Sequence, residues 1–249
     1  MRMISRDGLP FLVLSLFLAA SCSPARNGDE PATRTVDLSA PADDAATDGW
    51  RPLFDGRTTA GWRAFKGTAM PAGWQVVDGA LTRVEQGGDI VTDEEFDSFE
   101  LELEWKVGEG GNSGIFFHVV EDSALQYVWQ TGPEMQVLDN ARHPDGRQPN
   151  TSAGSNFALY APARDVSRPA GEWNAARLVV RGDHVEHWLN GEKLLEYELG
   201  GPEWKARVAA SKFASMPRYG LARRGHIALQ DHGDPVAFRN IRIRVLPAQ

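Results

Sequence analysis

From Trp50 onward, short runs of valine, isoleucine, leucine, phenylalanine and tryptophan are separated by clusters of glycine, aspartate, asparagine and proline. No long stretch repeats at helical period. Strands are predicted over 74–77, 80–83, 99–107, 113–119, 134–138, 157–160, 173–181, 184–189, 193–198, 226–232 and 237–245, and only 202–216 has room for a helical turn or two. The stretches Val77-Asp78-Gly79-Ala80 and Leu189-Asn190-Gly191-Glu192 are strong hairpin signals, because both central positions of a two-residue strand connection must accept positive φ. The fold class that follows is all-β, a sandwich of hairpins forming one large domain over 49–249.

Side chains alternate faces along a strand, so the polar residues that share a face can be read off. The stretch 225–244 reads as two strands joined by a tight turn. Ile227, Leu229 and Asp231 point one way, and Ala228, Gln230 and His232 the other. An amide and an imidazole closing an apolar strand make poor packing and a good binding floor. On the return strand Arg239 shares parity with Ile241, Ile243 and Val245, which leaves it between a site role and a structural ion pair. In 133–147, Glu134 and Gln136 face away from Met135 and Val137. The loop that follows crowds Asp139, Asn140, His143 and Asp145, oxygen and imidazole groups that suit a divalent cation and are equally explained by Asx turns. Glycines around Asn112 and Ser113 let the backbone come close to a neighbouring strand or a ligand, and put Asn112 at a site rim. The strand 99–107 carries Glu100, Glu102 and Glu104 on one face. These are either a solvated acidic face or the carboxylates of a glycosidase.

Composition narrows the function classes. The chain has 249 residues, 42% hydrophobic and 24% charged, with a net charge of −8. It has no basic block longer than Arg223-Arg224, so a nucleic-acid surface is excluded. The single cysteine, Cys22, precludes an intramolecular disulfide and any cysteine-based zinc site. It follows an apolar run from Leu9 to Ala20 that Arg2 and Arg6 precede, too short for a comfortable membrane span and laid out as an export signal over 1–21. Leu18-Ala19-Ala20-Ser21-Cys22 resembles a bacterial lipobox, with the leucine one place early, which predicts a diacylated Cys22. Ser23 after it points to the outer membrane, facing the periplasm, in a Gram-negative cell. The stretch 22–48, rich in alanine, proline, aspartate and threonine, cannot bury enough surface to offset its ordering entropy and is expected to act as a disordered tether.

Several motifs in fixed order carry a family resemblance: WRPLFDG with Gly61-Trp62, GWQVVDGAL, FELELEWK followed by GNSGIFF, EMQVLDN with His143-Pro144-Asp145, Gly171-Glu172-Trp173-Asn174, HWLNGEKL and GHIALQDHGDPVAFRNIRI. Over Trp50 to Leu246 the chain resembles the 3-keto-disaccharide hydrolases. The resemblance implies a concanavalin-like jelly-roll β-sandwich of two antiparallel sheets acting on glycosides already oxidised at the sugar C3. It also implies a divalent metal in some members, for which Asp139 and His143 are the candidate ligands. A C3 ketone acidifies the C2 proton, so this chemistry needs a base, a proton donor to the leaving oxygen, and a group to hold the enolate. His232 and Glu134 are the candidates for base and acid, in either order. Asn112, Gln136, Gln230 and Arg239 are the candidates for binding the sugar or steadying the enolate. The rival from another class is a non-catalytic carbohydrate-binding module of the cell envelope on the same sandwich.

Overall fold

The computed structural model describes residues 48–247. The predicted export signal, Cys22 and nearly all of the tether lie outside them. Strands run in the order β1 (Trp50–Pro52), β2 (Trp62–Ala64), β3 (Trp74–Val77), β4 (Ala80–Arg83), β5 (Ile90–Phe96), β6 (Phe99–Val107), β7 (Asn112–Val119), β8 (Glu134–Leu138), β9 (Asn174–Arg181), β10 (His184–Leu189), β11 (Glu192–Glu198), β12 (Gly225–Leu229) and β13 (Val236–Val245). One helix, α1 (Pro202–Ala209), and a short 3-10 turn, Lys212–Ser215, lie before β12. All strand pairs are antiparallel. They form an eight-stranded sheet in the order β11-β10-β9-β6-β13-β4-β3, with β1 also on β13, and a five-stranded sheet in the order β2-β5-β12-β7-β8. This is the expected all-β sandwich. Among the described residues no helix is long and apolar enough to cross a membrane.

The core lies between the sheets, where alternation delivers one apolar face from each: Phe99, Leu101, Leu103 and Trp105 from β6 meet Ile115 and Phe117 of β7, Met135 and Val137 of β8, and Ile227 and Leu229 of β12. A smaller cluster of Val91, Phe116, Val119, Val128 and Ala228 sits on the outer face of the five-stranded sheet. Both predicted hairpins form, with Asp78-Gly79 joining β3 to β4 and Asn190-Gly191 joining β10 to β11, all four turn residues at positive φ.

The predicted hairpin at 225–244 does not form. β12 belongs to the smaller sheet and β13 to the larger one, so residues 230–235 cross from one layer to the other. Asp231 anchors the crossing. Its carboxylate, almost fully buried, accepts bonds from Arg83, from the N–H groups of Gly87 and Gly88, and from the N–H of Gly233. The predicted strand at 157–160 is instead a turn held by isolated bridges around Asn156.

Candidate active site

The outer face of the smaller sheet carries the polar cluster. In the β7–β8 ladder Asn112 faces Leu138, Gly114 faces Gln136, and Phe116 faces Glu134. The residues alternating with these point into the core, leaving Asn112, Gly114, Glu134 and Gln136 together on the outside. Gly114 has a specific reason to be glycine. A Cβ there would lie 2.2 Å from Glu134 Oε1, so the Glu134 carboxyl group rests on the bare backbone of the next strand. The backbone approach suggested by the glycines around Asn112 is made to this carboxyl.

A hydrogen-bond chain orients that group. Nδ1 of His143 accepts the N–H of Asp145 at 3.1 Å. A backbone N–H only donates, so Nδ1 is bare and the neutral ring carries its proton on Nε2. Nε2 lies 3.4 Å from the Asn112 amide, which must therefore present its oxygen. The Asn112 nitrogen then faces Gln136. Gln136, turned to offer its oxygen to Asn112, donates to Ser113 O at 3.1 Å and to Glu134 Oε1 at 2.9 Å. One Glu134 oxygen is thus an acceptor, leaving the other to carry a proton.

The electrostatics favour that proton. Glu134 is 7% exposed, and burial raises its pKa to about 8. The Lys212 charge opposes the rise, while Asp89 and Asp145 add to it. Lys212 opens the 3-10 turn after α1, its ammonium 4.1 Å from the Phe157 ring centroid and 5.2 Å from that of Phe213. Burial lowers the Lys212 pKa, and the negative charge of Glu134 and Asp145 works against that fall. Asp89, raised to about 6 by burial, accepts the N–H of Asp231 at 3.0 Å.

The crossing segment supplies the opposite wall. Gln230 is pinned by its backbone, with N–H to Gly114 O at 3.1 Å and its carbonyl accepting Ser113 Oγ at 2.8 Å. Its side-chain amide has no hydrogen-bond partner among the described residues. His232 is half-exposed. Its Nδ1 lies 3.8 Å from Asp234 Oδ2, and its ring stands nearly perpendicular to that of His143, with centroids 6.3 Å apart. Asp234 also accepts the Asn112 N–H at 3.1 Å, tying the His232 turn to the strand that carries the amide chain. Next to Glu134, the row Glu134–Phe116–Ala228–Val91 continues across the sheet as apolar surface. Phe65 and Trp129 pack on it, and Tyr127 stacks on Trp129 at 4.9 Å and 8°.

Asn112, Glu134, Gln136, His143, Gln230 and His232 are therefore brought to one place. Arg239 is not. A bulge at Asn240, with φ of 53°, reverses the parity of β13 and puts Arg239 on the outer face of the larger sheet, where it pairs with Glu104 at 2.7 Å and lies over Trp173. Asp139 faces its own loop. Its oxygens accept the N–H groups of Gly110 and Ala141. The acidic strand is no glycosidase site either. Glu100 pairs with Arg177 and Arg244, Glu102 with Arg242, and Glu104 with Arg239 and Asn240, leaving no carboxyl to act as an acid. Sequence reading missed Lys212 and Asp89. Lys212 stands in the one predicted helical stretch, and Asp89 precedes a strand too irregular to predict, so neither carried a signal.

A family model described as the 3-keto-alpha-glucoside-1,2-lyase-like domain matches residues 49–244. A 3-keto-disaccharide hydrolase of Bacteroides thetaiotaomicron is 37% identical over 240 residues, covering 84% of this chain and 81% of the relative. A crystal structure from Parabacteroides distasonis described as a glycosyl hydrolase is 36% identical with a TM-score of 0.75, covering 80% of this chain and 95% of that one. A galectin-like protein of Bacillus subtilis, 15% identical with a TM-score of 0.50 over 80% of this chain and 96% of its own, shares the fold alone. On the extent of the family match and the identity to that hydrolase, the chain belongs to the 3-keto-alpha-glucoside-1,2-lyase-like family.

Proposed function

We propose that this protein cleaves 3-keto-glycosides by elimination followed by hydration, with Glu134 as proton donor and His232 as base. The observation that carries the assignment is the Glu134 carboxyl, buried over Gly114 and raised to about 8, so that it holds its proton at neutral pH. His232, open to solvent and flanked by Asp234, removes the C2 proton. The C2–H electrons form the enolate and then the C1=C2 bond as the C1–O bond breaks, and the leaving oxygen takes the Glu134 proton. Lys212 supplies positive charge for the enolate oxygen. Water then adds to C1 of the resulting enone while Glu134 recovers a proton from it, and protonated His232 returns a proton to C2. Net hydrolysis results and both groups are reset. Gln230, whose side-chain amide is unpaired among the described residues, holds a sugar hydroxyl, Asn112 and Gln136 keep the Glu134 carboxyl oriented, and the Phe65, Tyr127 and Trp129 side chains flank the leaving group. None of these steps requires a metal.

The test is aglycone release from matched glucosides and their 3-keto derivatives, with Glu134→Gln and His232→Ala variants and an EDTA arm. Release from the keto substrates only, reduced at least a hundredfold by either substitution, is the expected result. Wild-type release should fall as pH rises through about 8, where Glu134 loses its proton. Cleavage of the unoxidised glycosides, or sugar binding without turnover, would sink the assignment. A cation requirement in the EDTA arm would move enolate stabilisation from Lys212 to a metal.

We also propose export and lipid anchoring through Cys22, on the apolar run and small residues before it. A Cys22→Ala variant should lose the acyl mass and leave the membrane fraction.

A further inference from the structure

A cavity of about 860 Å³ lies away from the polar cluster, on the outer face of the larger sheet. The strand register shows how it is built. One row crosses five strands as Pro52–Arg242–Glu102–Arg177–Trp188, and the neighbouring row begins Trp50–Arg244–Glu100. Trp50 and Trp188 thus stand four strand spacings apart, roughly 19 Å, as the two walls of a groove. Guanidinium groups hold both indoles, with Arg242 4.9 Å and Arg244 5.1 Å from Trp50 and Arg177 5.6 Å from Trp188. Trp188 Nε1 is fixed on Glu186 at 2.7 Å. The floor drops at Ala175, which lines the cavity one row beyond Arg177 and opposite Glu104, and is exposed where its neighbours on the same face of β9 and β6 carry long side chains.

The chemistry of that floor selects its occupant. Each glutamate is bonded to an arginine, Glu100 to both Arg177 and Arg244, so the floor offers no free carboxylate to a cation. What the floor presents is a lattice of planar donors and acceptors, with the Asn240 amide among them, between two half-buried indoles. Hydroxyl groups both donate and accept, and the apolar faces of pyranose rings stack on indole. We infer that this groove binds a neutral oligosaccharide chain several sugar units long, as a holding site on the sheet opposite the catalytic one. The inference stands independently of the reaction assigned above.

The experiment is affinity electrophoresis of the full chain through gels containing neutral α- and β-glucans. Titration with maltohexaose and laminarihexaose accompanies it, for the wild type and for Glu134→Gln, Trp188→Ala and Ala175→Trp. The last variant fills the groove without removing a contact, and thermal unfolding checks that each variant is folded. Retardation that persists in Glu134→Gln and weakens at least tenfold in both groove variants is the expected result, with release from a small 3-keto-glucoside unchanged in the groove variants. Three outcomes would overturn the proposal. These are no binding by the wild type, binding lost in Glu134→Gln but kept in Trp188→Ala, or a concentration-dependent dimer abolished by Ala175→Trp, which would assign the groove to a second copy of the chain.

Discussion

At the scale of single residues, the site depends on a side chain that is missing. Gly114→Ala places a methyl group 2.2 Å from Glu134 Oε1, so the carboxyl must leave its seat. The expected outcome is a loss of about 1–3 kcal/mol in stability and a much larger loss of turnover, read by thermal unfolding beside kinetics. A fully active Gly114→Ala protein would show that the position of the carboxyl does not matter. Lys212→Met separates charge from volume. Because the Lys212 charge holds the Glu134 pKa down, its removal should lower kcat by roughly 10²–10³ and also move the alkaline limb of the pH profile upward. A fall in kcat with the limb unmoved would assign Lys212 to packing alone. Most of the polar cluster was legible in the sequence, since Glu134 and Gln136 share parity and Gln230 with His232 end an apolar strand. Arg239 was misplaced because parity counting assumes a regular strand, and the bulge at Asn240 breaks it. Lys212 and Asp89 were invisible because nothing local marks a residue whose role comes from what tertiary packing puts beside it.

At the scale of elements, the segment after β12 decides whether the two halves of the site meet. Strand period and turn residues suggested a hairpin at 225–244, yet the same Gly233-Asp234-Pro235 turn serves a crossing between layers. Alternation alone cannot distinguish the two. The choice is made by Asp231, whose carboxylate collects Arg83 and three backbone N–H groups from the 87–88 and 233 turns. Burial works against its charge, but these donors hold its pKa below the usual carboxylate range. Asp231→Ala removes the acceptor and leaves a mostly buried Arg83 unpaired, so a cost of about 3–5 kcal/mol is expected. Turnover should fall even where the protein remains folded, because Gln230 and His232 ride on this segment. A denaturation midpoint within error of wild type would contradict the anchoring role. Elsewhere the strands with clean alternation, such as β6 and β10, were placed nearly to the residue. β1 and β2 are too short to show a period, and in β5 the run Asp93-Glu94-Glu95 hides it.

At the scale of the whole molecule, the division of labour between the two outer faces sets how stability responds to pH. The outer face of the larger sheet pairs its acids with arginines, whereas the smaller sheet holds acids whose pKa is raised by burial. Glu134 is raised from 4.5 to about 8 and Asp89 from 3.8 to about 6. A carboxyl whose folded pKa is raised binds its proton more tightly folded than unfolded. The stability it contributes is fully present below the unfolded pKa and is lost as pH rises through the folded one. For Glu134 that loss spans pH 4.5 to about 8 and is at most roughly 5 kcal/mol between the limits. The wild type should therefore unfold at progressively lower temperature as pH rises from 5 to about 8. Glu134→Gln keeps the shape and the bond from Gln136 but cannot ionise, so its unfolding temperature should equal the wild type's near pH 5 and exceed it increasingly up to pH 8, then run parallel. Unfolding scans of the two proteins across that range decide the matter. If the curves stay parallel throughout, Glu134 is ionised in the folded protein at neutral pH and cannot be the proton donor.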